Sequence, residues 1–169
     1  VRSWDLRLTK TSERRYGRVN ASPVSHEALA LSNGIFRISP GSDPVPILHD
    51  KNTWRNINTL PEFSPDGSQI VFSSLGVLSS ETGEVTQSLE LSKSLRFFRV
   101  RWSPDSRHLG IGATKDDSSG FLRQLLIYDL VDDVIRYQQD VSVGPDWVWS
   151  HDGESLYLRN RHNLVHLSI

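Results

Sequence analysis

The stretch Phe63-Ser64-Pro65-Asp66-Gly67 occurs again as Trp102-Ser103-Pro104-Asp105-Ser106 and as Trp149-Ser150-His151-Asp152-Gly153. In every copy an aliphatic residue follows the Asp by four positions and opens an apolar run. The copies begin at positions 63, 102 and 149, a period of roughly 40 residues. A period of this size indicates one supersecondary unit that is used repeatedly.

The repeated stretch predicts a β-hairpin turn. Pro presets φ for the second turn position, Asp accepts hydrogen bonds from nearby backbone N–H groups, and Gly adopts the positive φ of a bulged turn. The turns recur in different units, so their carboxylates are separated from one another and a shared metal site is disfavoured. We therefore interpret these as structural turn residues: Asp66, Gly67, Asp105, Asp152 and Gly153.

Four short strands are predicted for each unit. After the turn strand, two more follow at 77–79 and 85–89 in one unit, and at 124–130 and 134–138 in the next. Four strands in about 40 residues are typical of a β-propeller blade, and we find no helical apolar period. The run Ile70-Val71-Phe72 is apolar on both faces, which favours sheets stacked between neighbouring blades.

The predicted fold class is all-β, a partial β-propeller in a single domain. Three whole four-stranded blades are expected at about 19–50, 57–92 and 97–140, with incomplete blades at 1–18 and 145–169. If the two incomplete blades combined to close one ring, the blade that they form would contain one third strand too many. We therefore expect a segment of a larger propeller, or self-association through the unclosed blades.

The repeats resemble the TolB-like, WD-related β-propeller family. Blades of that family carry an aromatic-Ser-Pro-Asp-Gly turn and a later Tyr-Asp-Leu or Trp-Asp-Leu, which here is Tyr128-Asp129-Leu130 or Trp4-Asp5-Leu6. Two turns depart from the pattern, with Ser106 in place of Gly and His151 in place of Pro. The resemblance implies the fold and a tendency to bind partners, but no particular reaction.

The overall composition narrows the possible partners. The formal net charge is −1, which disfavours a duplex nucleic-acid ligand, and the absence of cysteine excludes disulfides and thiolate metal sites. No apolar run approaches the length of a membrane span, and the start at Val1 has no signal-peptide pattern. The compartment stays open between periplasm and cytoplasm, and the lack of any Met favours a piece of a longer reading frame.

No catalytic, cofactor or metal site is predicted. No Gly-x-Ser-x-Gly nucleophile elbow is present, and Gly110-x-Gly112 lacks the third Gly of a phosphate loop. His162 and His166 are four residues apart, but on a predicted strand this spacing is about 13 Å, too far for one metal ion.

A candidate binding surface is predicted on the rim opposite the repeated turns. The third blade carries roughly ten extra residues at 114–123, and the link 50–58 emerges on the same rim. An insertion that is tolerated without any function is the alternative. The candidate partner-binding residues are Trp54, Arg55, Lys115, Asp116, Asp117, Phe121 and Arg123.

The function expected from the sequence is a non-catalytic scaffold that binds a protein or peptide. Contacts would come from that rim and from the first strands of the blades, which line the central channel of propellers. One alternative is the substrate-gating propeller of a prolyl-oligopeptidase-type serine hydrolase whose catalytic domain lies outside these residues. Another is a periplasmic TolB relative with a signal peptide and a small α/β domain upstream.

Overall fold

The computed structural model describes residues 18–31, 34–48, 61–72, 76–89, 91, 95–117, 120–141, 146–160 and 163–169. The fold of these residues is all-β, without a helix, so the described part contains no helix that could cross a membrane. The predicted incomplete blade at 1–18 lies outside the described residues, apart from Arg18.

The strands form four separate antiparallel sheets. The first sheet contains β1 (Arg18–Ala21), β2 (Ala28–Leu31), β3 (Ile35–Ile38) and β4 (Val45–Leu48). The second contains β5 (Glu62–Phe63), β6 (Gln69–Phe72), β7 (Gly76–Ser79) and β8 (Val85–Ser88). The third contains β9 (Leu95–Trp102), β10 (His108–Asp117), β11 (Gly120–Asp129) and β12 (Val134–Val141). The fourth contains β13 (Asp146–Trp149), β14 (Ser155–Asn160) and β15 (Asn163–Ser168). Within every sheet the strands lie side by side in chain order.

The repeated turns connect the first two strands of the last three sheets. In the first copy, Ser64 Oγ donates to Asp66 Oδ1 over 2.5 Å, and Asp66 Oδ1 accepts from the Ser68 N–H over 3.1 Å. The residue after the Asp has a positive φ in all three copies, 75° at Gly67, 60° at Ser106 and 79° at Gly153. Ser106 therefore adopts a conformation that L-residues disfavour.

The middle strands are apolar on both faces, as expected from the sequence. On β6, Ile70 and Phe72 pack in one core cluster with Leu29 of the first sheet. Val71, between them, packs in another cluster with Leu109 of the third sheet. The second sheet is therefore covered on both faces by its neighbours.

The same alternation continues in the third sheet. Leu126 of β11 faces the second sheet, whereas Leu125 and Ile127 pack with Trp147 and Leu158 of the fourth. The opposite face of the fourth sheet is open in the described structure. There Val148, Tyr157 and Leu164 are 62%, 38% and 73% exposed.

The four sheets come together at their first strands. β1 contacts β5, β5 contacts β9, and an ion pair joins Arg99 of β9 to Asp146 of β13. The first strands thus form the inner edge of a fan of sheets, the arrangement of successive β-propeller blades. The described residues do not form a closed ring.

The predicted insertion at 114–123 is not an irregular loop. β10 and β11 stay in register from His108↔Asp129 to Asp117↔Gly120, so the extra residues lengthen the hairpin. β9 pairs with the lengthened part as far as Lys115↔Leu95, and β12 pairs from Arg123↔Val141. The polar sequence remains extended there because β10 and β11 pair with each other over the described part of the hairpin, whereas β9 and β12 pair only at its base.

Candidate binding face at the inner strands

The inner strand β9 separates apolar from charged side chains. Val100 and Trp102 are buried in the core cluster with the second sheet. Arg99 and Arg101 alternate with them and have side chains that are 32% and 50% exposed. Successive side chains of a strand point to opposite faces, so the two guanidinium groups share one side of β9.

Arg99 is held between a carboxylate and an indole ring. Its Nη1 donates to Asp146 Oδ1 over 3.1 Å, and its guanidinium carbon lies 4.9 Å from the centroid of the Trp147 ring. Trp147 itself packs on glycines of the central strand β10. A Cβ on Gly110 would lie 2.7 Å from Trp147 Nε1, and one on Gly112 would lie 3.1 Å from the same ring. The Gly110-x-Gly112 pair therefore makes room for an indole.

Arg101 reaches across the inner edge to the second sheet. Its Nη1 donates to Glu62 Oε1 over 3.2 Å, and Trp102 Nε1 donates to the Glu62 carbonyl oxygen over 3.1 Å. Burial raises the pKa of the Glu62 carboxyl, an effect that the charge of Arg101 only partly opposes. Glu62 Oε2 is buried and has no hydrogen-bond partner among the described residues.

Two cavities lie on either side of Arg101. The first, of about 280 Å³, is lined by Arg99, Arg101, Trp102, Trp147, Val148 and Trp149. The second, of about 290 Å³, is lined by Asn20, Ala21, Pro23, Glu62, Phe63, Pro65, Arg101 and Trp102. We call the first the arginine cavity, and the two cavities together with Arg101 the inner face. The inner face combines guanidinium groups with aromatic and proline side chains, a composition suited to binding a peptide.

A larger cavity, of about 430 Å³, opens on the rim of the repeated turns between the third and fourth sheets. Its most buried polar group is Asp129, which is 1% exposed. Arg107 Nη2 donates to Asp129 Oδ2 over 2.8 Å, Arg136 Nη2 donates to the same oxygen over 3.2 Å, and the Val131 N–H donates to Oδ1 over 3.0 Å.

These hydrogen bonds, led by the one from Arg107, hold the pKa of the Asp129 carboxyl far below its usual range. Both guanidinium groups also contact Asp132. The two arginines and two aspartates therefore compensate one another, and the cluster is a structural anchor for the turn that follows β11. For this reason the cavity at Asp129 is a weaker candidate site than the inner face.

The predicted rim residues are partly outside the described residues. Trp54 and Arg55 belong to the undescribed link. Lys115 and Arg123 are exposed on β10 and β11, with backbone partners Leu122 and Thr114. Asp116 and Asp117 end β10, and Phe121 lies opposite Asp116 at the start of β11. Five of the seven predicted residues therefore lie on the lengthened hairpin. Their role as a binding surface stays a prediction.

No group of three or more potential metal ligands occurs within the described part of the chain. His166 of β15 packs near the Tyr157 ring, with ring centroids 5.1 Å apart, and its Nε2 is 3.0 Å from Ser155 Oγ. His162, which the sequence analysis compared with His166, lies outside the described residues.

The sequence predicted contacts from the first strands of the blades, but it did not predict which residues of those strands form the inner face. The sequence pointed to the first strands as channel lining, yet Arg99, Arg101 and Glu62 were not singled out. The available signal was the alternation Arg99-Val100-Arg101-Trp102 just before a repeated turn, which places two arginines on one side of an inner strand. Glu62 carries no such signal, because its burial depends on the neighbouring sheet.

Comparison with known proteins shows a likeness of fold alone. No family model matches the chain, and no curated protein matches it. Among solved structures, the hydrazine synthase of Kuenenia stuttgartiensis superposes with a TM-score of 0.63 at 15% identity. That alignment covers 89% of this chain and 51% of the synthase chain, so the chain spans about half the length of that protein.

Acylaminoacyl peptidases are similar as well. The enzyme from Pyrococcus horikoshii gives a TM-score of 0.55 at 15% identity, over 83% of this chain and 30% of its own. An acylaminoacyl peptidase in complex with Z-Gly-Gly-Phe-chloromethyl ketone gives 0.53 at 16% identity, over 89% and 30%. At these identities the comparisons support a β-propeller-like fold and assign neither a reaction nor a family.

Proposed function

We propose that this chain is a segment of a β-propeller that binds a protein or peptide partner and has no catalytic activity of its own. The observation that carries the proposal is the inner face, where two partly exposed arginines lie among tryptophan, phenylalanine and proline side chains. Aromatic and arginine side chains dominate the energetics of protein and peptide binding. The sheets on either side hold these side chains on regular strands, which limits the entropy lost on binding.

Peptide display tests this proposal. A library of unstructured peptides is selected on the immobilised chain, and the recovered peptides are titrated calorimetrically against the wild type and two variants. Arg99→Glu/Arg101→Glu alters the inner face, and Lys115→Glu/Arg123→Glu alters the lengthened hairpin. We expect the inner-face variant to abolish binding and the hairpin variant to retain it. Loss of binding in the hairpin variant alone would favour the predicted rim, and recovery of no peptide at all would contradict the proposal.

A second candidate function is the gating propeller of a serine hydrolase. The observation that favours it is the likeness in fold to acylaminoacyl peptidases, which the chain matches over 30% of their length. The 169 residues contain no Gly-x-Ser-x-Gly elbow, so the nucleophile would have to lie elsewhere in the protein. The complete reading frame decides this alternative, since a hydrolase domain with that elbow must accompany the propeller. A complete frame that lacks it would remove the candidate.

A further inference from the structure

Arg99 and Arg101 are spaced to hold one anionic group between them. They are two residues apart on β9, so their Cα atoms are separated by about 6.6 Å on the same side of the strand. Each is hydrogen-bonded to a carboxylate through Nη1 alone in the described structure. The Nε and Nη2 groups remain as donors, and guanidinium groups bind carboxylates most strongly through two such donors.

The charge of the surroundings favours a monoanion over a dianion. Asp146 offsets the charge of Arg99, and its carboxylate is largely exposed, at 60%. Glu62 offsets the charge of Arg101 when it is ionised, but its burial disfavours the ionised form. The inner face therefore places two guanidinium groups beside two carboxyl groups, Asp146 and Glu62, so little positive charge is left to compensate a bound anion. A singly charged carboxylate needs less compensation than a doubly charged phosphate and is the better match.

The other residues that line the arginine cavity are Trp102, Trp147, Trp149 and Val148. The three indoles supply its aromatic surface, whereas the Val148 side chain points to the open face of the fourth sheet and is 62% exposed. The cavity volume of about 280 Å³ lies just below the range of cavities that enclose drug-sized ligands. A cavity of this size accepts a small group, such as one terminal residue, and not a long segment.

We propose that the arginine cavity binds the C-terminal carboxylate of a peptide whose last side chain is apolar. The carboxylate lies between Arg99 and Arg101, and the last side chain contacts the indoles that line the cavity. This inference rests on the proposed function, because it names the part of the peptide that the inner face recognises.

The test compares one peptide in two forms. Acetyl-Gly-Ala-Leu with a free carboxylate and the same peptide as a C-terminal amide are titrated calorimetrically into the wild-type chain. We expect the acid to bind at least about tenfold more tightly, because the amide loses charge-assisted hydrogen bonds from the guanidinium groups. Replacing the final Leu by Gly should also weaken binding, and inorganic phosphate should not displace the acid.

Single substitutions test whether Arg99 and Arg101 cause the preference for the acid over the amide. Arg99→Gln and Arg101→Gln should each weaken the acid about tenfold and leave the amide unchanged. Glu81→Gln is the matched control, since Glu81 is exposed in the turn between β7 and β8 and belongs to neither proposed binding surface, and it should bind like the wild type. The comparison of acid with amide uses the wild-type chain, so it is decisive even where a variant fails to fold.

Equal affinity for acid and amide, displacement by phosphate, or no binding of either peptide at millimolar concentration would overturn the inference. The two proposals fail differently. If display-selected peptides require the inner face but bind equally well as acids and amides, the proposed function stands and this inference is wrong. If no selected peptide depends on the inner face, the proposed function itself is wrong.

Discussion

Asp129 and Asp132 are three residues apart and contact the same two arginines, yet their surroundings differ. Asp129 is 1% exposed and accepts hydrogen bonds from both guanidinium groups and from two backbone N–H groups. The side chain of Asp132 is 46% exposed and is accessible to water. When a buried carboxylate loses its charge, water cannot take its place beside the cationic partners. When an exposed carboxylate loses its charge, water hydrates those partners instead.

Asp129→Asn should therefore lower the free energy of unfolding by about 2–4 kcal/mol, because one amide group cannot replace all these acceptor sites and leaves the two arginines with Asp132 as their remaining carboxylate partner. Chemical denaturation at neutral pH measures the change. Asp132→Asn is the matched control and should change stability much less, since its carboxylate is already partly hydrated. Equal losses in the two variants would contradict the assignment of Asp129 as the anchor.

The effect of Asp129 should also depend on pH in a defined direction. Its folded pKa is depressed, so the stabilisation is fully present above the ordinary carboxyl pKa of about 4 and is lost as the pH falls below it. The stability difference between wild type and Asp129→Asn should consequently be constant from neutral pH to about pH 5 and shrink as the pH falls from there to about pH 3. A difference that stays constant down to about pH 3 would show that the lost contacts are not ionic.

At the residue scale, turn chemistry was accessible from the sequence and burial was not. The spacing of Ser64, Asp66 and Gly67 has a local physical meaning, because the hydrogen bonds that close the turn, from Ser64 Oγ and the Ser68 N–H to Asp66 and from the Gly67 N–H to the Ser64 carbonyl oxygen, are formed within six residues. Asp129 was visible only as part of the Tyr-Asp-Leu pattern. Its partners are Arg107, in the turn before β10, and Arg136, on β12, which meet only in the folded sheet, so the sequence showed no reason to group them.

At the scale of elements, the middle strands hold the sheets together because their two faces pack against different neighbouring sheets. In the last sheet, which has one neighbour in the described structure, only one face of β14 is buried. Leu158 faces the third sheet and is 1% exposed, whereas Tyr157 faces away and is 38% exposed. β15 continues the pattern, with Leu164 pointing to the open side.

Leu158→Ala and Leu164→Ala form a matched pair on this sheet. Leu158→Ala should cost about 2–5 kcal/mol, because it leaves a cavity in the cluster with Trp147 and Ile127. Leu164→Ala should stay within about 0.5 kcal/mol of the wild type, because that side chain is already 73% exposed. Thermal or denaturant unfolding measures both changes, and a large loss in Leu164→Ala would show that the open face is covered in solution.

The strand order of the blades was predictable because apolar runs, turn residues and repeat spacing agree. The lengthened hairpin was not predictable in the same way. Residues 114–123 are mostly polar and contain Gly120, a composition that local propensity assigns to a loop. Residues 114–117 and 120–123 are extended because β10 and β11 pair with each other and β9 and β12 pair at the base of the hairpin, and pairing between strands leaves no local signal in a polar segment.

At the scale of the whole molecule, the fan of sheets separates structural from ligand-binding chemistry. The repeated turns and the Asp129 cluster lie on one rim, where their polar groups are compensated within the protein. The inner face collects side chains from strands of all four sheets, including Asn20 of β1 and Trp149 of β13. Self-association through the open face of the fourth sheet stays a prediction, which the concentration dependence of sedimentation would measure.

Hydrogen exchange followed by mass spectrometry, with and without a display-selected peptide, shows whether the inner face is the surface that binds. We expect the peptide to slow amide exchange in the inner strands β5, β9 and β13 and to leave exchange in the outer strands β8 and β12 unchanged. Slower exchange confined to the lengthened hairpin of β10 and β11, with no change at the inner strands, would contradict the proposed role of the inner face.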